Sequence, residues 1–179
     1  MKSPLQSLKK VIPPPASPVC AAGDWKAVEK GLGFKLPVDY KRFIAAYGTG
    51  SIQSFMHMWN YLDFPINDIR DSIQRITSEF EYDKRAGYPI EYIPYPQPGC
   101  LIPFCSTDDG NYLTWRTQGV PSKWDVVAYD SGSGSLVHAK VAGMVACIMR
   151  LVQQKNPFGD KFCNTDIFDP PVTFTPKTD

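Results

Sequence analysis

The chain is short of the residues that most chemistry needs. It has two histidines in 179 residues, His57 and His138. Neither belongs to a G-x-S-x-G or H-E-x-x-H pattern, so no activated nucleophile or zinc site is signalled. The five cysteines (Cys20, Cys100, Cys105, Cys147 and Cys163) include no C-x-x-C pair. Their odd number and irregular spacing describe neither a disulfide framework nor a zinc ribbon, and buried, reduced thiols are expected. Charge of one sign is lacking too. A formal net charge of +1 gives no global field to draw in nucleic acid or an anionic membrane. Long hydrophobic runs are missing. The longest, residues 141–149, falls far short of the ~20 residues of a membrane span, and the N-terminus has lysines but no apolar signal core. These absences lead us to expect a cytoplasmic protein with no metal, no cofactor, no direct nucleic-acid contact, no membrane partner and no catalytic residues.

What is present suits one globular domain over residues 1–179. Apolar residues make up 43% and charged residues 21%, which argues against wholesale disorder. Residues 11–18, with Pro13, Pro14, Pro15 and Pro18, form a stiff extended strap. Asp24 offers a helix cap ahead of Trp25, Val28 and Leu32, and Gly33 a stop. A second helix is predicted to start at Pro37, carry Tyr40, Phe43, Ile44 and Tyr47 inward, and end at Gly48. Ile52, Phe55, Met56, Met58 and Trp59 suggest one or two strands. The clearest signal is Ile66, Ile69, Ile73, Ile76 and Phe80, stepping by helical intervals, with Asn67 as the expected cap and Gly87 closing. Residues 88–99 are a proline-rich connector. Strands are predicted over 101–105, 112–116, 124–129 and 136–138, joined by turns at Asp109-Gly110-Asn111 and 131–135. A last helix covers about 142–153, and the tail from 163 to 179 reads as loop. Consecutive strands with segregated helices imply an α+β fold with one mainly antiparallel sheet of five to six strands.

Candidate chemistry is sparse. Asp108-Asp109 lacks calcium-loop spacing and reads as turn residues. Gly132-x-Gly134 lacks the ending of a phosphate loop, and His57 reads as the polar member of an alternating strand. The sign pattern says more. Residues 1–42 hold eight basic and three acidic side chains, whereas residues 59–83 hold six acids against Arg70 and Arg75. An acidic surface with nearby aromatics suits a basic protein partner such as a nuclease. The candidate contact set is therefore Trp59, Tyr61, Asp63, Asp68, Asp71, Glu79, Asp108 and Asp109.

Several stretches resemble one family. Val11-Ile12-Pro13-Pro14-Pro15-Ala16, Asp24-Trp25-Lys26-Ala27-Val28-Glu29, Leu36-Pro37-Val38-Asp39-Tyr40-Lys41 and Tyr47-Gly48-Thr49-Gly50 are similar to the SUKH superfamily, the Smi/Knr-type immunity proteins of bacteria. So are Leu101-Ile102-Pro103-Phe104, Asp109-Gly110-Asn111, Trp115, Gly119, Trp124 and Asn156-Pro157-Phe158, and the likeness covers most of residues 10–162. The resemblance implies an α+β fold and a non-catalytic protein, a monomer or weak dimer, that binds and neutralises a cognate secreted toxin of the polymorphic or contact-dependent kind. A regulatory adaptor in cell-wall or signalling control is the alternative, and a hydrolase around Asp108, Asp109 and either histidine a third. Trp25, Glu29, Leu36, Pro37, Tyr40, Phe43, Gly48 and Gly50 are the family's motif positions. We expect them to build scaffold, with Glu29 capping or pairing internally.

Overall fold

The computed structural model describes residues 3–178. Helix α1 (Pro4–Val11) opens with a capping box in which the Ser3 side chain accepts from the Gln6 amide and Gln6 bonds back, with proline in its first turn. It was missed in the sequence, and the extended strap begins only after it. Helix α2 (Trp25–Leu32) is capped by Asp24, whose carboxylate accepts from the Lys26 and Ala27 amides, and ends on left-handed Gly33. Helix α3 (Val38–Tyr47) follows Pro37 and buries Tyr40, Phe43, Ile44 and Tyr47. Gly48 then takes a positive φ, and a Cβ there would overlap the Val19 backbone, so glycine is required. Helix α4 (Ile66–Arg85) buries Ile69, Ile73, Ile76 and Phe80 as the spacing predicts. Its cap is Pro65 without a side-chain bond, so Asn67 lies inside the helix and does not cap it. Helix α5 (Met144–Val152) is the last.

The strands are β1 (Gly50–Ile52), β2 (Met56–Met58), β3 (Leu101–Thr107), β4 (Tyr112–Arg116), β5 (Asp125–Asp130), β6 (Ser135–His138) and β7 (Phe174–Pro176). They form one antiparallel sheet in the order β6-β5-β4-β3-β2-β1-β7. Seven strands replace the five to six expected, because the tail read as loop folds back to supply β7. That strand pairs with β1, and Phe174 lays its ring against Phe43 and Tyr47. Gly50 permits this approach, since a Cβ there would collide with Thr175 and Phe174.

The sheet separates two cores. On one face α1, α3 and α5 cover Ile102, Phe104, Leu113, Trp115, Val126 and Ala128. On the other, the C-terminal half of α4 places Ile76 and Phe80 over Leu101, Val127 and Tyr129. A bulge between Pro103 and Cys105 turns consecutive residues Phe104 and Cys105 toward the first core and resets the pleat beyond it. Past the bulge, one cross-strand row runs Thr175–Ser51–His57–Ser106–Tyr112–Tyr129–Leu136 through all seven strands. Residues paired this way share a face. The Tyr112–Tyr129–Leu136 end joins the core under α4. The Thr175–Ser51–His57 end lines an open groove.

Candidate functional site

The groove has a volume of about 520 Å³. Its floor is β1, β2 and β7, with Ser51, His57, Met58 and Thr175. One wall is the N-terminal part of α4, with Asp68, Ile69, Ser72 and Arg75, and the β2–α4 connection contributes Trp59, Tyr61 and Phe64. Phe64 is an exposed aromatic at the rim, 48% accessible. Lys177 closes the far end, 5.4 Å from the centre of the Phe64 ring.

The scaffold motif explains how these groups are held. Glu29 Oε1 accepts from Lys41 Nζ at 2.7 Å and from the Leu36 amide at 2.9 Å, tying α2, the intervening loop and α3 into one unit. It pairs internally, as expected. Burial raises its pKa, but those bonds and the charges of Lys41 and Lys35 outweigh burial and leave it below the ordinary value. Trp25 packs edge-on against Tyr40, and Phe43 stacks on Tyr47. The Tyr40 hydroxyl donates to the Trp59 carbonyl at 2.6 Å and accepts from the Tyr61 amide at 3.1 Å, so the motif helix fixes the chain where it leaves β2 for the groove wall.

The contact set divides on inspection. Trp59 lines the groove, its indole N–H donating to Ser106 Oγ at 3.1 Å. Tyr61 does not belong on a contact surface. It is 1% exposed, packed on Tyr40, and its hydroxyl donates to the Pro103 carbonyl. An aromatic that satisfies its one polar atom on a core carbonyl is structural. Asp63 is mostly engaged: its carboxylate accepts from the Cys20 thiol at 3.1 Å and from Lys177 Nζ at 3.0 Å. Burial raises its pKa, yet these donors hold it below the ordinary value. Asp68 is exposed on the groove wall, while Asp71 is exposed outside the groove lining. Glu79 lines a second depression along α4, reached past Arg75, with Tyr82, Asp83, Gly110, Tyr129 and Ser131. Burial first, and then the Glu79 carboxylate, push the Tyr112 hydroxyl up.

Asp108 and Asp109 stand exposed at the β3–β4 turn. Asp108 Oδ1 lies 2.7 Å from His57 Nε2, bringing the turn to the groove floor. Fifty-one positions separate the two residues, so sequence spacing gave no signal of the pair. His57 is exposed, as the alternation predicts, and no hydroxyl or thiol among the described residues is hydrogen-bonded to its ring. No group of three or more metal-ligating side chains occurs among the described residues. His138 lies 3.9 Å from Asp125, both exposed, away from the groove.

Of the other acids in the α4 region, Asp83 accepts from the Tyr129 hydroxyl and Glu81 pairs with Arg85. The acidic run is thus partly consumed inside the protein. The cysteines are reduced, with Cys100, Cys105 and Cys147 buried and Cys20, against expectation, exposed. Burial pushes the Cys100, Cys105 and Cys147 thiols up, and that of Cys163 to about 12. No helix among the described residues is long and apolar enough to cross a membrane.

Comparison with known proteins returned no matching curated protein and no matching solved structure. A family profile does match, over residues 22–140, which runs from just before α2 through β6 and leaves α1, α5 and β7 outside. With the greater part of its length in that match, the chain belongs to the SMI1-KNR4 cell-wall family (SUKH_6).

Proposed function

We propose that this protein is an immunity protein. It binds a cognate secreted toxin in the cytoplasm of the cell that makes it and neutralises the toxin by occlusion, with no catalytic step of its own. Membership of the SMI1-KNR4 family is the observation that carries this reading. The geometry is in keeping with it: a motif-held scaffold presents an open groove lined by Trp59 and Asp68, with Asp108 beside His57. A specific complex buries about 1,600 Å² in total, so the interface extends beyond the groove to neighbours such as Asp71, Glu79 and Asp109. A nuclease, whose surface is basic to hold phosphates, suits an acidic rim.

The test is co-expression with the toxin encoded beside this chain's gene. Protection of the host, with a complex recoverable on purification, is the expected result. Killing that is unchanged, with no complex, overturns the reading. The words "cell-wall" in the family's description favour one other reading, a non-catalytic regulatory adaptor. Recovery of signalling or wall-synthesis proteins in place of a toxin, from growing cells, would establish it.

A further inference from the structure

The groove has features that narrow what it can receive. Its elongation comes first. Asp68, Ser72, Arg75 and Glu79 fall on one stripe of α4, and Arg75 lines both the groove and the depression beyond it. From Asp68 to Glu79 the helix rises about 16 Å. An extended chain of about five residues covers the same length, whereas a compact small molecule would fill one end only.

The balance of charge comes second. Lys177 is committed to Asp63 and to the Phe64 ring. Among the described residues, Arg75 is the other Lys or Arg that lines the trough. Carboxylates stand on both sides of it: Asp68 and Glu79 along α4, and, just outside the lining, Asp108 at the β3–β4 turn, which contacts His57 through one oxygen and keeps 62% of its side chain exposed. Arg75 sits one helical turn from Glu79, which partly offsets it. The surface therefore favours positive charge at its two edges.

The composition of the middle comes third. Trp59 and Phe64 supply carbon surface, with Ile69 buried behind them, and Ser51, Ser72 and Thr175 supply hydroxyls on the sheet and helix sides. An apolar side chain flanked by cations satisfies this layout. The floor at Thr175 comes from β7, outside the stretch that matches the family. The trough is thus finished by a segment outside the matched stretch.

We infer that the trough between α4 and the β2-β1-β7 end of the sheet docks an extended segment of a partner protein, with an apolar side chain seated between Trp59 and Phe64 and Lys or Arg side chains facing Asp68 and Asp108. The C-terminal strand supplies part of its floor. The inference rests on the proposed immunity function for the partner's identity, the segment being part of the toxin, but the chemistry of the trough is testable without the toxin.

The experiment is a titration of the ¹⁵N-labelled full chain with three synthetic peptides, acetyl-Gly-Lys-Leu-Lys-Gly-amide, its counterpart with Glu for Lys, and its counterpart with Gly for Leu. The Lys-Leu-Lys peptide is expected to shift the amides of Ser51, His57, Ser72 and Thr175. The other two should bind at least about tenfold more weakly, and Asp68→Asn with Asp108→Asn should abolish the preference for the basic peptide while leaving the rest of the spectrum in place. Equal binding of the acidic peptide, or shifts lying elsewhere, overturns the inference. A further variant, Phe64→Ser, changes no charge and should weaken the Lys-Leu-Lys peptide but not the peptide lacking leucine. Protection from the toxin without peptide selectivity would sink the trough and spare the immunity reading; selectivity without protection would do the reverse.

Discussion

The Tyr40 hydroxyl lies 2.6 Å from the carbonyl oxygen of Trp59, nineteen residues along the chain. It also accepts the Tyr61 amide, so one buried phenol holds two backbone groups at the start of the groove wall. Burial pushes its ionisation well above the ordinary range, so it stays a neutral donor throughout the working pH range. Removing that oxygen leaves a partly buried carbonyl and a buried N–H without this partner. Tyr40→Phe should cost about 1–3 kcal/mol in urea unfolding with the fold retained. A change well under 0.5 kcal/mol would mean that the Trp59–Tyr61 segment is held by other contacts.

The link from Glu29 to Lys41 makes a prediction about acid. The Glu29 carboxyl is lower in the folded protein than its ordinary 4.5, so folding favours the ionised form. Its contribution is fully present above the unfolded value and is lost as pH falls through the folded one. The urea midpoint of the wild type should therefore decline as pH drops below about 4.5. Glu29→Gln should be less stable by about 1 kcal/mol at pH 7, with the gap closing toward pH 3. Asp63, also held low, steepens the acid limb of both proteins, and the comparison cancels it. A gap that stays constant with pH would rule out the charge-assisted role of Glu29.

The elements that could be read in advance were those whose own residues carry the pattern. Helix α4 shows its core stripe in the sequence because Ile69, Ile73, Ile76 and Phe80 meet the sheet side at every turn. Asp24 and Gly33 bracket α2 by local hydrogen bonding and a left-handed backbone, both written in residue type. Strand β7 has no such signature. It is three residues long, ends in proline, and owes its place to pairing with β1 and to Phe174 packing on α3. The candidate surface was half readable for a similar reason. Composition marked the acids of α4, but whether an aromatic or a carboxylate faces water is settled by distant partners: Pro103 for Tyr61, Lys177 for Asp63, His57 for Asp108.

Gly50 offers a direct handle on β7. A methyl at this position meets the Thr175 carbonyl and the Phe174 ring. Gly50→Ala should release the C-terminal strand while the larger cores stay packed. Hydrogen exchange should then accelerate by an order of magnitude or more at the amides of Lys177 and Gln53, which bond Thr49 and Thr173, and little at Leu113 or Val126. Uniform acceleration across the sheet would instead show that β7 is integral to global stability.

Three carboxylates of α4 can be tested as a group. Asp68, Asp71 and Glu79 lie off the buried stripe, so reversing all three to Lys should leave the unfolding midpoint within about 1 kcal/mol of wild type. Toxin affinity should fall by about ten- to a hundredfold, mainly through slower association, with a weaker dependence on salt. Asp71, outside the groove lining, should contribute least when reversed alone. Unchanged affinity in the triple variant would move the interface away from this helix.

The central claim is neutralisation by binding, and its most direct measurement is a titration in vitro. Purified toxin domain, assayed for its own activity, receives increasing amounts of this protein. The account predicts a linear loss of activity that reaches its floor at one protein per toxin, with the toxin recovered chemically intact from the complex. Full toxin activity in the presence of excess protein, or loss at far below equimolar amounts with the toxin modified or cleaved, would contradict it.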